Sequence, residues 1–252
     1  MLTPTSAGHP VQLKRMNSER QHRDEIVRYG RMLHQQFFVA ATDGNLSVRL
    51  DDGTVLCTPT CLSKGMMEPD DLVIVDTNGR KLRGHRAPSS EIAMHLLIYR
   101  LRADVNAVVH AHPPTATGYA AAGLALTQPL VSEIVITLGS VPLAPYATPG
   151  TPELSDSLAS LIPDYDAILM ANHGVVTFCQ DLTGAYMKME TVEHFAKIAL
   201  VTQTLGKQQL LSKADVDKLI AVRERYLMND AGKRPAAAAP AEPAPAMTSD
   251  KR

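Results

Sequence analysis

Apolar positions along the chain alternate between helical and extended spacing. Over residues 19–39, Ile26, Tyr29, Leu33 and Phe37 recur one helical turn apart and predict an amphipathic helix. The turn Thr42-Asp43-Gly44-Asn45 follows. Residues 46–50 then alternate apolar and polar as a half-buried strand does, and Asp51-Asp52-Gly53 turns the chain into a second strand over 54–58. Residues 72–76 read as another strand, closed by Asn78-Gly79. Pro88-Ser89-Ser90-Glu91 opens a helix that Ser89 or Ser90 can cap, with Ile92, Leu96, Tyr99 and Leu101 as its apolar face. Residues 106–112 form a strand stopped by Pro113-Pro114, and 115–122 an Ala-rich helix. Residues 141–145 are extended, Pro152 starts a helix through 161, and 167–171 is an apolar run expected as a central strand. A long helix over 183–205 and a short one over 213–226 complete the series.

Hairpins early in the chain and helices between later strands predict an α/β or α+β layered domain. Residues 1–18 lack periodicity and are expected to be loose. From 229 to 252 the chain is rich in Ala and Pro, with little to bury, and is expected to be disordered. One folded domain over 19–228 is therefore expected.

Composition narrows the function by exclusion. The 252 residues are 45% apolar and 20% charged, enough for a sizeable core. With 25 basic and 26 acidic side chains and a net charge of −1, nothing favours nucleic acid or an anionic membrane as partner. No apolar run approaches the roughly 20 residues of a spanning helix, and the N-terminus lacks a signal-peptide centre. A cytoplasmic location is expected. The 3 cysteines have no zinc-finger spacing and are expected as reduced thiols.

The 9 histidines change the picture. In a strand, His110 and His112 share a face, about 6.6 Å apart along the backbone, which suits two ligands of one metal. His-x-His alone is a weak sign. His173-Gly174, at the end of an apolar strand, and Glu91, at the start of a helix, supply what is missing: three imidazoles and a carboxylate are a fitting zinc set, though manganese, iron or cobalt would accept it too. Singly, His173 could be a core histidine and Glu91 a helix-end carboxylate. His95 falls among core-facing residues and reads as structural. A second group resembles an anion cradle: Gly44-Asn45 in a tight turn, Thr58-Pro59-Thr60 at a strand end and Ser89-Ser90 at a helix start, with Lys64 nearby either as added charge or as a solvated side chain.

In order along the chain, Gly44-Asn45-Leu46-Ser47-Val48-Arg49, Thr58-Pro59-Thr60, Pro88-Ser89-Ser90-Glu91, Asn106-Ala107-Val108-Val109-His110-Ala111-His112, Ala144-Pro145-Tyr146-Ala147 and Asn172-His173-Gly174 resemble the class II aldolase/adducin family, on its fuculose-phosphate aldolase side. The likeness covers residues 19–205. It implies a three-layer α/β/α domain with a central mixed, mainly antiparallel sheet, assembled as a homotetramer with active sites at subunit contacts. It implies zinc on His110, His112 and His173, with Glu91 completing the metal shell at rest and then serving as acid/base. It implies that Gly44, Asn45, Thr60, Ser89 and Ser90 hold a substrate phosphate, with Cys61 standing where the family's aldolases usually carry glycine. The place of a tyrosine that these aldolases bring from a neighbouring subunit as proton donor falls near Glu133. The expected reaction is cleavage of a ketose 1-phosphate to dihydroxyacetone phosphate and an aldehyde through a zinc-stabilised enediolate. Cys61 and Glu133 keep open a decarboxylase or a dehydratase on the same scaffold. An adducin-like binding module is the remaining alternative, and the retained histidine–glutamate set speaks against it.

Overall fold

The computed structural model describes residues 10–229. The expected loose segment, as far as residue 9, and the Ala/Pro tail from residue 230 lie outside them. One eight-stranded sheet carries the fold. Its strands are β1 (Asn45–Arg49), β2 (Val55–Cys57), β3 (Val73–Val75), β4 (Lys81–Arg83), β5 (Ala107–Ala111), β6 (Leu143–Ala144), β7 (Ala167–Met170) and β8 (Gly174–Cys179). They lie in the order β4-β3-β2-β1-β5-β8-β7-β6, and every neighbouring pair is antiparallel except β6 with β7. The expected mixed, mainly antiparallel sheet is what forms.

Strand alternation sorts side chains onto two faces. Leu46, Val48, Leu56, Ala107, Val109, Ala111 and Val175 pack on one side, beneath the helices α1 (Pro10–Gln35), α3 (Pro114–Ala121), α4 (Ser132–Thr137) and α6 (Leu182–Thr204). Val55, Val73, Val75, Val108, Ile168, Val176 and Phe178 pack on the other, beneath α2 (Ile92–Leu101) and α5 (Pro152–Ala159). The result is three layers, α/β/α. A last helix, α7 (Lys213–Asn229), packs on α4. No helix among the described residues is long and apolar enough to cross a membrane.

Several expectations need correction. The first helix begins at Pro10, not at residue 19. Residues 11–18 have no apolar stripe, but Gln, Lys, Arg and Met are good helix formers, proline fits the first turn, and extending a helix costs far less than nucleating one. The same helix stops at Gln35, and Phe37 stands past its end with φ 58° and its ring exposed. Three elements had no signal: β4, all of whose residues are exposed; the six-residue α4; and β8, whose start merges with the apolar run before it. β7 is not central but next to the edge strand β6. Finally, neither Ser89 nor Ser90 caps α2. The N-cap is Glu91, whose side chain makes no capping bond, while Ser89 Oγ accepts from the Glu91 N–H at 3.2 Å. The bridge between Pro59 and Pro88, with Ser89 N–H on the Thr58 carbonyl, keeps this stretch extended and delays the helix.

Candidate metal centre

Strand pairing brings four distant segments to one end of the sheet. β1 starts where β5 finishes, because Asn45 pairs with His110. β8 starts there as well, with Val175 opposite Ala111, and β7 finishes there, with Met170 opposite Gly174. His110 alternates with Val109 and Ala111, which face the α1/α6 core, so it points to the α2 side, where Glu91 enters α2. His173 comes from the turn between β7 and β8, where Asn172 takes φ 55° and the His173 N–H bonds the Met170 carbonyl.

The three imidazoles stand edge-to-face around one point. Ring centroids are 4.8, 4.8 and 5.1 Å apart with interplanar angles of 63°, 65° and 66°, and their ligating nitrogens all lie within 4.8 Å of one another. His110 Nε2 is 3.1 Å from His112 Nε2 and 3.3 Å from Glu91 Oε2. His173 Nε2 is 3.2 Å from Glu91 Oε1. That last contact has ion-pair distance but not hydrogen-bond geometry, and Glu91 Oε1 is buried with no hydrogen-bond partner.

Two glycines make this approach possible. At Gly44 (φ +70°) a Cβ would sit 2.6 Å from Val39 Cγ1 and 2.8 Å from the His110 carbonyl oxygen; at Gly174 it would sit 2.5 Å from His112 Cδ2. Supporting contacts orient the rings, as they do around metal sites in general. His110 Nδ1 donates to the Val175 carbonyl at 2.9 Å, so its Nε2 faces the centre, and His112 Nδ1 lies 3.5 Å from Asp43 Oδ2.

The electrostatics fit a cation. Burial alone would raise the Glu91 carboxyl, but His110, His173 and the Asn45 amide hold it well below the usual carboxylate range. Burial, and then the neighbouring His110, push His112 and His173 down to about 4, leaving both neutral with lone pairs to offer. Burial also works against a proton on His110, but Glu91 and the Val175 carbonyl outweigh it and raise its pKa. A metal ion would compete with that proton. Three convergent imidazole nitrogens, with a carboxylate oxygen lacking any hydrogen-bond donor, are a donor set for a borderline divalent ion.

The cradle residues divide. Thr60 N–H bonds the Ala87 carbonyl and Ser89 N–H the Thr58 carbonyl, so segments 58–61 and 87–91 run side by side; Thr60 is half-buried, Ser89 buried, and Cys61 and Ser90 exposed. Gly44 immediately precedes β1, against Val39 and the His110 carbonyl. Asn45 differs: its Nδ2 donates to Glu91 Oε2 at 2.8 Å and its Oδ1 meets His95 Nε2 at 2.5 Å, so its amide is already committed. Lys64 is not solvated. It is buried, donates from Nζ to the carbonyls of Thr42 (2.9 Å) and Leu62 (2.6 Å), and is pushed down to about 8 by burial, against the pull of Asp43, Cys61 and Glu91. Glu133 is exposed on α4, a helix packed on α6 and α7, and among the described residues no hydrogen bond or ion pair joins it to Glu91. Asp43 and the Val175 carbonyl carried no sequence signal as supports. The first reads as an ordinary turn residue and the second is backbone.

The cysteines separate by environment. Cys61 is exposed with φ 55°, whereas Cys57 is buried and its thiol is pushed up to about 12 by burial despite a backbone hydrogen bond at Ser89. Thiolates, not thiols, react. In native protein at neutral pH a thiol reagent should therefore label Cys61 first, and Cys61→Ser should abolish the fast phase. Fast labelling of Cys57 would contradict this packing.

The chain is thus a three-layer domain that gathers three imidazoles and a carboxylate, a set that could hold a metal ion, at one end of a largely antiparallel sheet. The model of the "Class II Aldolase and Adducin N-terminal domain" matches residues 24–200, and the chain belongs to that family. It stands among the family's lyases: it is 36% identical over 206 residues to a 5-deoxy-D-ribulose 1-phosphate aldolase of Bacillus thuringiensis, covering 81% of this chain and 96% of the relative. It is also 36% identical over 210 residues to a 3-oxo-tetronate 4-phosphate decarboxylase of Pectobacterium atrosepticum, covering 81% and 94%. Among solved structures, an L-fuculose 1-phosphate aldolase superposes with a TM-score of 0.75 at 32% identity, covering 81% of this chain and 95% of that one.

Proposed function

We propose that the protein is a metal-dependent aldehyde-lyase that cleaves a ketose 1-phosphate to dihydroxyacetone phosphate and an aldehyde. The convergence of His110, His112 and His173 with Glu91 on one point is the observation that carries this reading. The three imidazoles would hold the metal, zinc in the first instance, with Glu91 completing the shell at rest. Bound there, the ion would act as a Lewis acid on the substrate carbonyl. Gly44, Thr60, Ser89 and Ser90 take the phosphate, at paired segments rich in hydroxyls and backbone donors, with exposed Cys61 at their rim. When the carbon–carbon bond breaks, its electrons stay on the dihydroxyacetone phosphate fragment as an enediolate, and Glu91 carries the proton that this carbon takes up. The hydroxyl of the other fragment gives up its proton and becomes the aldehyde. Glu133 is the candidate group there, supplied from a neighbouring subunit of a homotetramer. The proposed catalytic unit spans residues 19–228 and works in the cytoplasm.

A second reading is favoured by the equal likeness to a decarboxylase. The same residues would hold a 3-oxo acid phosphate and protonate the enolate left when CO₂ departs. Product analysis separates the two. Metal-loaded protein would be offered fuculose, ribulose, rhamnulose and 5-deoxyribulose 1-phosphates and, separately, 3-oxo-tetronate 4-phosphate. Release of dihydroxyacetone phosphate that a chelator abolishes is the expected result. CO₂ from the oxo acid, with no aldehyde from any ketose phosphate, would transfer the assignment to the decarboxylase.

A further inference from the structure

Behind Glu91 lies a row of buried polar groups that the proposed reaction leaves unused. Glu91, His95 and Tyr99 stand four residues apart, on one face of the α2 region, and Asn45 and Ser47 stand two apart on one face of β1. One helical step of four advances about 6.0 Å and one strand step of two about 6.6 Å, so the two rows stay in register and interleave. The contacts run without a gap. Tyr99 Oη lies 2.7 Å from Ser47 Oγ, Ser47 Oγ 2.7 Å from His95 Nδ1, His95 Nε2 2.5 Å from Asn45 Oδ1, and Asn45 Nδ2 2.8 Å from Glu91 Oε2.

Chemistry gives the row a direction. A carboxylate oxygen needs a donor, and reversing the Asn45 amide would set its oxygen against Glu91, so Nδ2 faces Glu91. Asn45 Oδ1 is then an acceptor only, and His95 must present Nε2–H to it. His95 is buried, and its two nitrogens contact only Asn45 and Ser47 in these hydrogen bonds, with no carboxylate to support a second proton. Its Nδ1 therefore accepts the single Ser47 proton, and Ser47 is left to accept from the Tyr99 hydroxyl. Each donor is used once, and all point toward Glu91.

We propose that Tyr99, Ser47, His95 and Asn45 form a one-way hydrogen-bond chain that positions Glu91, fixing its Oε2 and leaving Oε1 to face the centre and the reacting atoms. The four are positioning residues, and the proposal rests on the reading of Glu91 as proton carrier. Asn45 thereby serves the acid/base group. A fully satisfied buried network of this kind is rigid, and losing one member releases the end it holds.

Two measurements on the zinc-loaded full chain test this. The first needs no substrate. Nitrogen-15 NMR of histidine side chains should find His95 as the Nε2–H tautomer and His110 as the Nδ1–H tautomer, with His95 assigned by the signals missing from His95→Gln. A proton on His95 Nδ1 would overturn the chain. The second is kinetic. His95→Leu should bind metal stoichiometrically and keep KM within about twofold while kcat falls about 10- to 100-fold, the range typical of supporting partners around metal sites. His95→Gln, whose amide can donate to Asn45 and accept from Ser47, should recover most of kcat. Wild-type kcat in His95→Leu, or a Gln variant no better than Leu, would overturn the proposal. Should His95→Leu fail to fold, Tyr99→Phe replaces it, with a smaller fall in kcat expected and wild-type kcat again counting against the chain. Wild-type protein inert toward every substrate offered would fault the functional reading, and the tautomers alone would then decide the chain.

Discussion

Glu91→Gln should retain bound metal and a folded α2 while losing about 10²- to 10⁴-fold in kcat, the range ascribed to a positioned general acid or base. The substitution keeps the side chain's shape and removes only its ability to carry a proton. Helix stability should barely change, because Glu91 occupies the N-cap without making a side-chain capping bond. Metal should stay, because the three imidazoles converge independently of the carboxylate. Metal content by atomic spectroscopy, the melting temperature and kcat on the substrate identified by product analysis decide the matter together. Turnover at the wild-type rate with metal in place would remove Glu91 from the chemistry.

The second large effect is expected at His110→Ala. Of the three imidazoles His110 is the fully buried one and stands closest to the others, with Nδ1 anchored on Val175 and Nε2 toward both His112 and Glu91. Removing it takes away a proposed ligand and the ring's hydrogen bond to the Val175 carbonyl, a bond worth about 1 kcal/mol. The variant should lose metal on dialysis, fall to background activity and melt earlier than wild type. His112→Ala should lose metal too, but with a smaller loss of stability, because His112 is partly exposed and its Nδ1 reaches only the half-exposed Asp43. Retention of stoichiometric metal by His110→Ala would show that the centre lies elsewhere.

Much of this was legible before any coordinates. A layered domain, α/β or α+β, followed from the alternation of periods, and the α/β/α order from the family resemblance. The candidate metal set was visible as His110 and His112, two apart and so on one strand face whatever surrounds them, joined by His173 at a strand end and Glu91 at a helix start. The cradle segments were visible as turns and strand ends. Other features were not. β8 could not be separated from β7, because an apolar run does not reveal where it turns; the αL residue Asn172 makes that turn. Lys64 reads as a surface lysine, and only packing shows that two carbonyls hold it inside. His95 reads as structural rather than ligating, and its link to Glu91 through Asn45 depends on β1 lying beside α2. Asn45 reads as a turn residue of the cradle, and its amide contacts with Glu91 and His95 appear only in the packed fold.

By itself, the sequence determined the family, the helices and strands long enough to show a period, and the identity of the four side chains at the centre, because all of these depend on residue type and local spacing. Tertiary structure alone decided that Asn45, Glu91, His110 and His173 meet, and in what order their hydrogen bonds run. The physical reason is register. The antiparallel pairing of β1, β5 and β8 sets strand ends 45, 110 and 174 side by side, and docking of α2 on that face brings in Glu91, His95 and Tyr99. Such contacts join residues tens of positions apart, and no local spacing encodes them.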